Sequence, residues 1–197
     1  MEFTKTLELR RSQYAISNVQ AVDDETLVRL VGHAIDFTPS AFDSQSQRAI
    51  LLLDAKHADF WNIVLAALRD VVPAKDFPRS EAKIASFAAG RGTILFFDDQ
   101  AVTQGLMSAY PLYKDNFAVW YHQHAGMLQS NVWTALAEVG YGASLQHYSE
   151  LIEETVRKEF DIPVSWKLLA QMPFGTVVRP AKPKVFQPLE KRFLVLK

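Results

Sequence analysis

The stretch that most constrains the fold is residues 126–148, GMLQSNVWTALAEVGYGASLQHY, where a helical pattern gives way to a glycine turn and a strand-like end. Leu128, Val132, Leu136 and Val139 recur at i, i+4, i+8 and i+11 and form one stripe. Gly126, Ser130, Ala135 and Ala137 keep other faces thin enough for close packing. Such a helix is expected to be buried on more than one side. Gly140 and Gly142 permit the positive φ that ends a helix and reverses the chain, so residues 143–148 are expected as a short strand carrying polar side chains. Polar groups at a strand end point to a ligand.

Elsewhere the pattern alternates helices with a few strands. Residues 4–11 read as a short helix with Arg10 and Arg11 in its last turn, where cations offset the helix dipole. Asp23 is placed to cap a second helix carrying Leu27, Leu30, Val31, Ala34 and Ile35, which Thr38 and Pro39 stop. A polar loop, residues 39–48, then feeds the apolar run 49–53; such a loop is either an ordinary Asx or Ser turn or a ligand loop. Helices are expected at 58–72 and 80–88, with Pro73 and Pro78 bracketing the loop between them. GTILFF, residues 92–97, is a strand, and Asp98 or Asp99 caps the next helix, which reaches Tyr110.

Residues 110–124 gather Tyr110, Tyr113, Phe117, Trp120 and Tyr121, a density that marks core, interface or a pocket for a flat molecule. Ser149 is placed to cap a helix running to Phe160, residues 166–172 form a third strand, and residues 192–196 alternate like a strand. With no internal repeat or linker, residues 1–197 are expected to be one α+β domain with a mixed or antiparallel sheet of about four strands.

Composition removes several function classes. A formal charge of −1 gives no reason to expect a nucleic-acid or anionic-membrane partner. Cysteine is absent, which excludes disulfides, zinc-thiolate sites, iron–sulfur clusters and cysteine nucleophiles. There is no apolar leader-like segment in residues 1–12 and no apolar run of membrane-spanning length, so a cytoplasmic protein is expected. G-x-S-x-G, P-loop, H-E-x-x-H and G-x-G-x-x-G signatures are missing, and His122 and His124 lack a third metal ligand at useful spacing.

What remains are separated clusters: Arg10-Arg11-Ser12, the segment Pro39-Ser40-Ala41 with Asp43 and Gln45, Leu145-Gln146-His147, and Lys182 with Lys184. On these residues, and on the segments GTILFFDDQ, GMLQ, VWTAL and SLQHY, the chain resembles from end to end the nitroreductase family of FMN enzymes, within it the short fatty-acid-repression-mutant-like subgroup.

The resemblance implies that Arg10, Arg11, Ser12, Lys182 and Lys184 hold the FMN phosphate and ribityl chain, a role suited to charge-assisted bonding of a phosphate monoester. It implies that the loop residues Pro39, Ser40, Ala41 and Gln45 bind the cofactor, with Ser40 and Ala41 approaching the flavin from a partner protomer, and that Leu145, Gln146 and His147 line the ring edge. Lys83 would stabilise the reduced flavin, the alternative being a solvated helical lysine. Tyr14 stands where many members carry a basic residue, and Asp43 where they carry Asn, which brings a negative charge towards a site that favours positive potential. Phe117, Trp120 and Tyr121 are the substrate-pocket candidates.

The implied activity is that of a homodimeric FMN oxidoreductase with the flavin at the interface. NADH or NADPH would be the donor and a nitroaromatic or quinone the small aromatic acceptor, in ping-pong order. The subgroup leans towards nitroaromatic reduction and stress response. A non-catalytic flavin- or ligand-binding regulatory dimer on the same fold is the alternative, and a helical scaffold without cofactor a third.

Overall fold

The computed structural model describes residues 3–197. In chain order the elements are α1 (Phe3–Leu9), β1 (Ala15–Ser17), α2 (Asp24–Asp36), β2 (Gln47–Leu53), α3 (Asp54–Val71), α4 (Phe77–Ala88), β3 (Gly92–Asp99), α5 (Gln100–Ala109), α6 (Lys114–Glu138), β4 (Tyr141–Ala143), α7 (Ser149–Glu159) and β5 (Trp166–Arg179). The strands pair antiparallel in the order β1-β5-β3-β2, with β4 on β5. The 14-residue β5 joins them, because its first part pairs with β3 and its last residues with β1 and β4.

β3 explains why GTILFF is apolar without alternation. Leu95 and Phe97 enter a core with Phe60, Trp61 and Val64 of α3, Phe87 of α4, and Ile152 and Val156 of α7. Ile94 and Phe96 enter a second core with Leu27 and Val31 of α2 and Leu128, Val132 and Leu136 of α6. Helices thus cover both sheet faces, so every residue of β3 up to Asp98 is buried. Each fully buried Leu or Phe contributes about 1.5–3 kcal/mol relative to exposure.

Asp23 caps α2 as expected, its side chain accepting from Thr26 N at 2.6 Å. Along α6 the buried residues are Phe117, Tyr121, His124, Ala125, Leu128, Val132 and Leu136, a single stripe. The opposite face is open within one chain: nothing lies within 4 Å of a Cβ placed on Gly126, and Met127 is exposed.

Several local expectations change. Of the two glycines after α6 only Gly140 takes a positive φ, +91°. Gly142 is needed for closeness instead, since a Cβ there would meet Val177 Cγ2 at 2.5 Å and Gln13 Cβ at 2.8 Å. The strand after the turn is residues 141–143, followed by one bridge from Gln146 to Gln171, rather than 143–148. Pro78 lies inside the first turn of α4, where its missing N–H costs nothing, so that helix starts three residues earlier than expected. Ser149 does not cap α7, because its hydroxyl accepts from Gln171 Nε2. The alternating run 192–196 is irregular and largely exposed: alternation alone makes no strand where no edge pairs with it.

Candidate functional site

The chain termini converge on a basic cleft. Arg10 and Arg11 lie just past the last helical residue of α1, and Arg10 N donates to Thr6 O at 3.0 Å, so Arg10 stands at the negative end of that short helix. Ser12 forms a parallel bridge with Ala143, and Gln13 N donates to Ala143 O at 2.9 Å. The tail is fastened alongside: Ala181 N donates to Gln13 Oε1 at 2.8 Å and Arg11 Nη2 to Lys182 O at 2.8 Å. Arg10, Arg11 and Lys184 line a cleft of about 450 Å3 together with Leu7, Phe186 and a single carboxylate, Glu8. The Arg10 guanidinium stacks 4.7 Å above the Trp133 ring, which fixes its direction without neutralising it. Lys182 is exposed and enters the cluster through its backbone carbonyl.

A second group gathers around Phe87 of α4. Lys83 Nζ lies 5.6 Å from the Phe87 ring and 5.7 Å from the Tyr148 ring, and Tyr14 packs 6.2 Å from Phe87. Lys83 is exposed, but it leans over the aromatic pair that closes residues 145–148. Gln146 is paired through its backbone with Gln171 at 2.7 and 2.9 Å, and its side chain turns inward to Ser144 Oγ at 3.1 Å. Leu145 is half-buried and His147 exposed.

Gln171, absent from the sequence reading, holds this corner. Fully buried, it accepts from Tyr148 N at 2.7 Å and donates to Ser149 Oγ at 2.8 Å. Its signal was a lone polar residue inside the apolar strand LLAQMPF.

The third group is the loop before β2. Phe42, Asp43 and Gln45 have φ of 57°, 49° and 48°, all left-handed and none glycine. Gln45 N donates to Ser40 Oγ at 2.9 Å, and Gln47 Nε2 donates to Pro39 O at 3.2 Å. Asp43 accepts from Gln45 Nε2 at 3.2 Å, so its carboxylate serves the loop itself, and Asp is among the residues that tolerate this φ. Phe42 collects the aromatic segment: its ring lies 4.9 Å from Tyr110, 5.2 Å from Phe117, 5.8 Å from Tyr113 and 6.0 Å from Trp120.

Beside Phe42 a mainly apolar cavity of about 410 Å3 is lined by Pro39, Ser40, Ala41, Trp120, His124 and Met127 among others. Of the three expected pocket residues Trp120 lines it. Phe117 is buried beneath Phe42, and Tyr121 is buried with its hydroxyl accepting from Lys167 Nζ at 3.2 Å.

Under the loop sits Asp98, fully buried at the end of β3. Burial pushes its pKa up, but hydrogen bonds from His124, Ser46 and Thr103 outweigh that and hold the carboxyl below its ordinary 3.8.

The loop and the basic cleft sit towards opposite ends of β3. Ser12 pairs with Ala143, which faces Phe174 and through it Gly92, whereas Asp99 N donates to Ser46 O at the other end. From Gly92 to Asp98 the strand spans roughly 20 Å at about 3.4 Å per residue. Among the described residues no hydrogen bond or ring contact joins residues 40–45 to Arg10, Lys83 or Gln146.

The chain is similar in sequence and fold to known proteins. The nitroreductase CinD of Lactococcus lactis, solved in complex with chloramphenicol, is 44% identical and superposes with a TM-score of 0.91, each chain covered in full. The same enzyme solved with 4-nitrophenol gives a TM-score of 0.90. Among curated sequences the Saccharomyces cerevisiae protein HBN1 is 32% identical over 189 residues, covering 93% of this chain and 92% of its own. The nitroreductase family's sequence model matches residues 7–176, and with relatives aligned across nearly the whole chain, this protein belongs to the nitroreductase family.

Proposed function

We propose that the chain is an FMN-dependent NAD(P)H oxidoreductase that works as a homodimer and reduces flat aromatic acceptors, nitroaromatics or quinones. The observation that carries this reading is the division of the site: a cationic cleft and a cavity-bearing loop lie towards opposite ends of β3, so two copies must meet for the halves to join. The open small-residue face of α6 at Gly126 and Met127 offers a surface for that meeting.

The residues present suit FMN. Three cations against one carboxylate in the cleft match a phosphate monoester of nearly two negative charges. When bound, FMN supplies two-electron chemistry, accepting hydride from NAD(P)H and then passing the electrons to the acceptor in ping-pong order. Arg10, held flat by Trp133, and Arg11 and Lys184 bind the phosphate. Lys83 places an ammonium group near Phe87 and Tyr148 and favours the more negative form of the ring. Ser40 and Ala41 reach the partner's site, and Phe42 and Trp120 stack against the acceptor. The complexes of CinD with chloramphenicol and 4-nitrophenol support an aromatic acceptor.

The test is an absorbance scan of the FMN-saturated protein. A yellow protein that bleaches with NADH or NADPH and recovers colour with 4-nitrophenol or a quinone is expected. A yellow protein that no nicotinamide bleaches is a regulatory flavin binder, and one that takes up no flavin overturns the reading outright. Arg10→Ala should weaken FMN by about 1.5–3 kcal/mol and riboflavin far less. Equal losses by calorimetric titration would assign Arg10 to the fold.

A further inference from the structure

Loop 40–45 follows a course that its residue types disfavour. Left-handed φ at Phe42, Asp43 and Gln45 costs on the order of 1 kcal/mol for each residue and persists only where the surroundings impose it. The loop's exit runs into a group of four buried polar side chains: Ser46 at the loop's own end, Asp98 of β3, Thr103 of α5 and His124 of α6. Asp98 Oδ1 accepts from Ser46 Oγ at 2.5 Å and faces His124 Nε2 at 3.4 Å. Its Oδ2 accepts from Gln100 Nε2 and Thr103 Oγ1, each at 2.7 Å. Since the Ser46 hydroxyl donates to Asp98, its lone pair receives the Nε2 proton of His124 at 3.0 Å, which assigns the histidine tautomer.

Serine, histidine and aspartate together suggest a hydrolytic triad, and the geometry rejects it. In such a triad the carboxylate holds the imidazole nitrogen opposite the serine. Here Ser46 and Asp98 share one nitrogen, Nε2, while Nδ1 is buried without a partner. Ser46, fully buried, donates its hydroxyl hydrogen bond to the carboxylate and is closed off from solvent. What the group does have is a position: Ser46 directly follows Gln45, and His124 is among the residues that line the cavity with Ser40, Ala41 and Trp120.

We propose that Ser46, Asp98 and His124 form a positioning clamp that holds loop 40–45 in its left-handed course, and so fixes Ser40 and Ala41 against the isoalloxazine of the partner protomer. The flavin half of this proposal rests on the function proposed above. The clamp acts on the ring side of the cofactor, so its loss weakens FMN and riboflavin alike, the opposite of the phosphate cleft's signature.

The test uses Ser46→Ala, Ser46→Thr and His124→Phe in the full-length protein. Ser46→Ala and His124→Phe are expected to weaken FMN and riboflavin equally, roughly tenfold for one lost buried hydrogen bond. Ser46→Thr, which keeps the hydroxyl, should recover most of the loss. Independently of any flavin, hydrogen exchange at the amides of Asp43, Ser44 and Gln45 should quicken about tenfold in Ser46→Ala while the β3 amides stay protected. Unchanged exchange at these three amides overturns the clamp and leaves Phe42 and its aromatic neighbours holding the loop. Faster exchange with native affinity for both flavins overturns the link to the cofactor. Wild-type protein that takes up no flavin sinks the functional reading by itself, and with it the flavin half, while exchange still decides the clamp.

Discussion

Two buried polar networks sit on the same strand and differ in one respect. At the start of β3, Thr93 Oγ1 accepts from Trp61 Nε1 at 2.9 Å and meets His57 Nδ1 at 2.9 Å, while His57 Nε2 reaches Ala88 O at 3.2 Å. Every polar atom of those three side chains has a partner. At the end of β3, Asp98 is equally saturated, but its neighbour His124 keeps Nδ1 buried with none. A buried unpaired polar atom costs about 1–3 kcal/mol, so a fold under selection for stability alone would close it. The closed network borders a cavity of about 430 Å3 lined by His57 and Ala88, and the open one lies beneath a left-handed loop and a cavity of about 410 Å3. What separates the two networks is therefore the unpaired Nδ1 and the loop that the open one adjoins.

The largest way to break this comparison is Asp98→Asn. The amide loses one acceptor and brings a donor among groups that already donate, so the chain should lose about 3 kcal/mol in urea unfolding. Loop 40–45 should loosen with it. A loss under roughly 0.5 kcal/mol, the scale of ordinary surface changes, would mean that the carboxylate is dispensable and the network incidental.

Thr93→Val probes the closed network with a smaller effect. Shape is kept and the hydroxyl lost, leaving the Trp61 N–H and His57 Nδ1 unpaired. A loss of about 2 kcal/mol is expected, with flavin affinity and loop exchange unchanged. If flavin binding fell as well, the two ends of β3 would not be separable and the contrast would fail.

Much of this was legible in the sequence where the information is local. The Asp23 cap, the period of α2 and the β-run GTILFF depend on neighbours within a few positions, and each formed as read. Arg10 and Lys184 could be grouped by charge type and resemblance, and they do share a cleft. The rest depends on distant partners. Ser46 and Asp98 are 52 positions apart and Ser46 and His124 are 78, and no periodicity encodes such a meeting. Asp98 read as a possible helix cap because it stands next to Asp99, which does the capping, accepting from Ala101 N at 3.2 Å. Phe42 looked like one apolar residue in a polar loop, yet it is the centre on which four aromatic residues converge.

Acid separates the two networks by the smallest effect and in a fixed order. Burial lowers the pKa of His57 below its ordinary 6.5, the Ala88 carbonyl opposing this and the Arg91 charge adding to it. Below 6.5 the unfolded chain therefore binds a proton that the native chain refuses, until the lower folded pKa is reached. Stability from this group is complete above 6.5 and declines as pH falls through that window, with a slope of at most about 1.4 kcal/mol per pH unit. Asp98 runs later: its stabilisation is present above 3.8 and is lost only as pH falls further towards its depressed value. His122, also lowered by partial burial and then by Lys167, is exposed and adds a weaker slope beside that of His57. The measurement is therefore a difference, urea unfolding of wild type and His57→Gln between pH 7 and 5. The variant should lose the part of the slope that belongs to His57. Parallel slopes would show that His57 takes its proton in the folded state at little cost, so that the closed network is as adjustable as the open one.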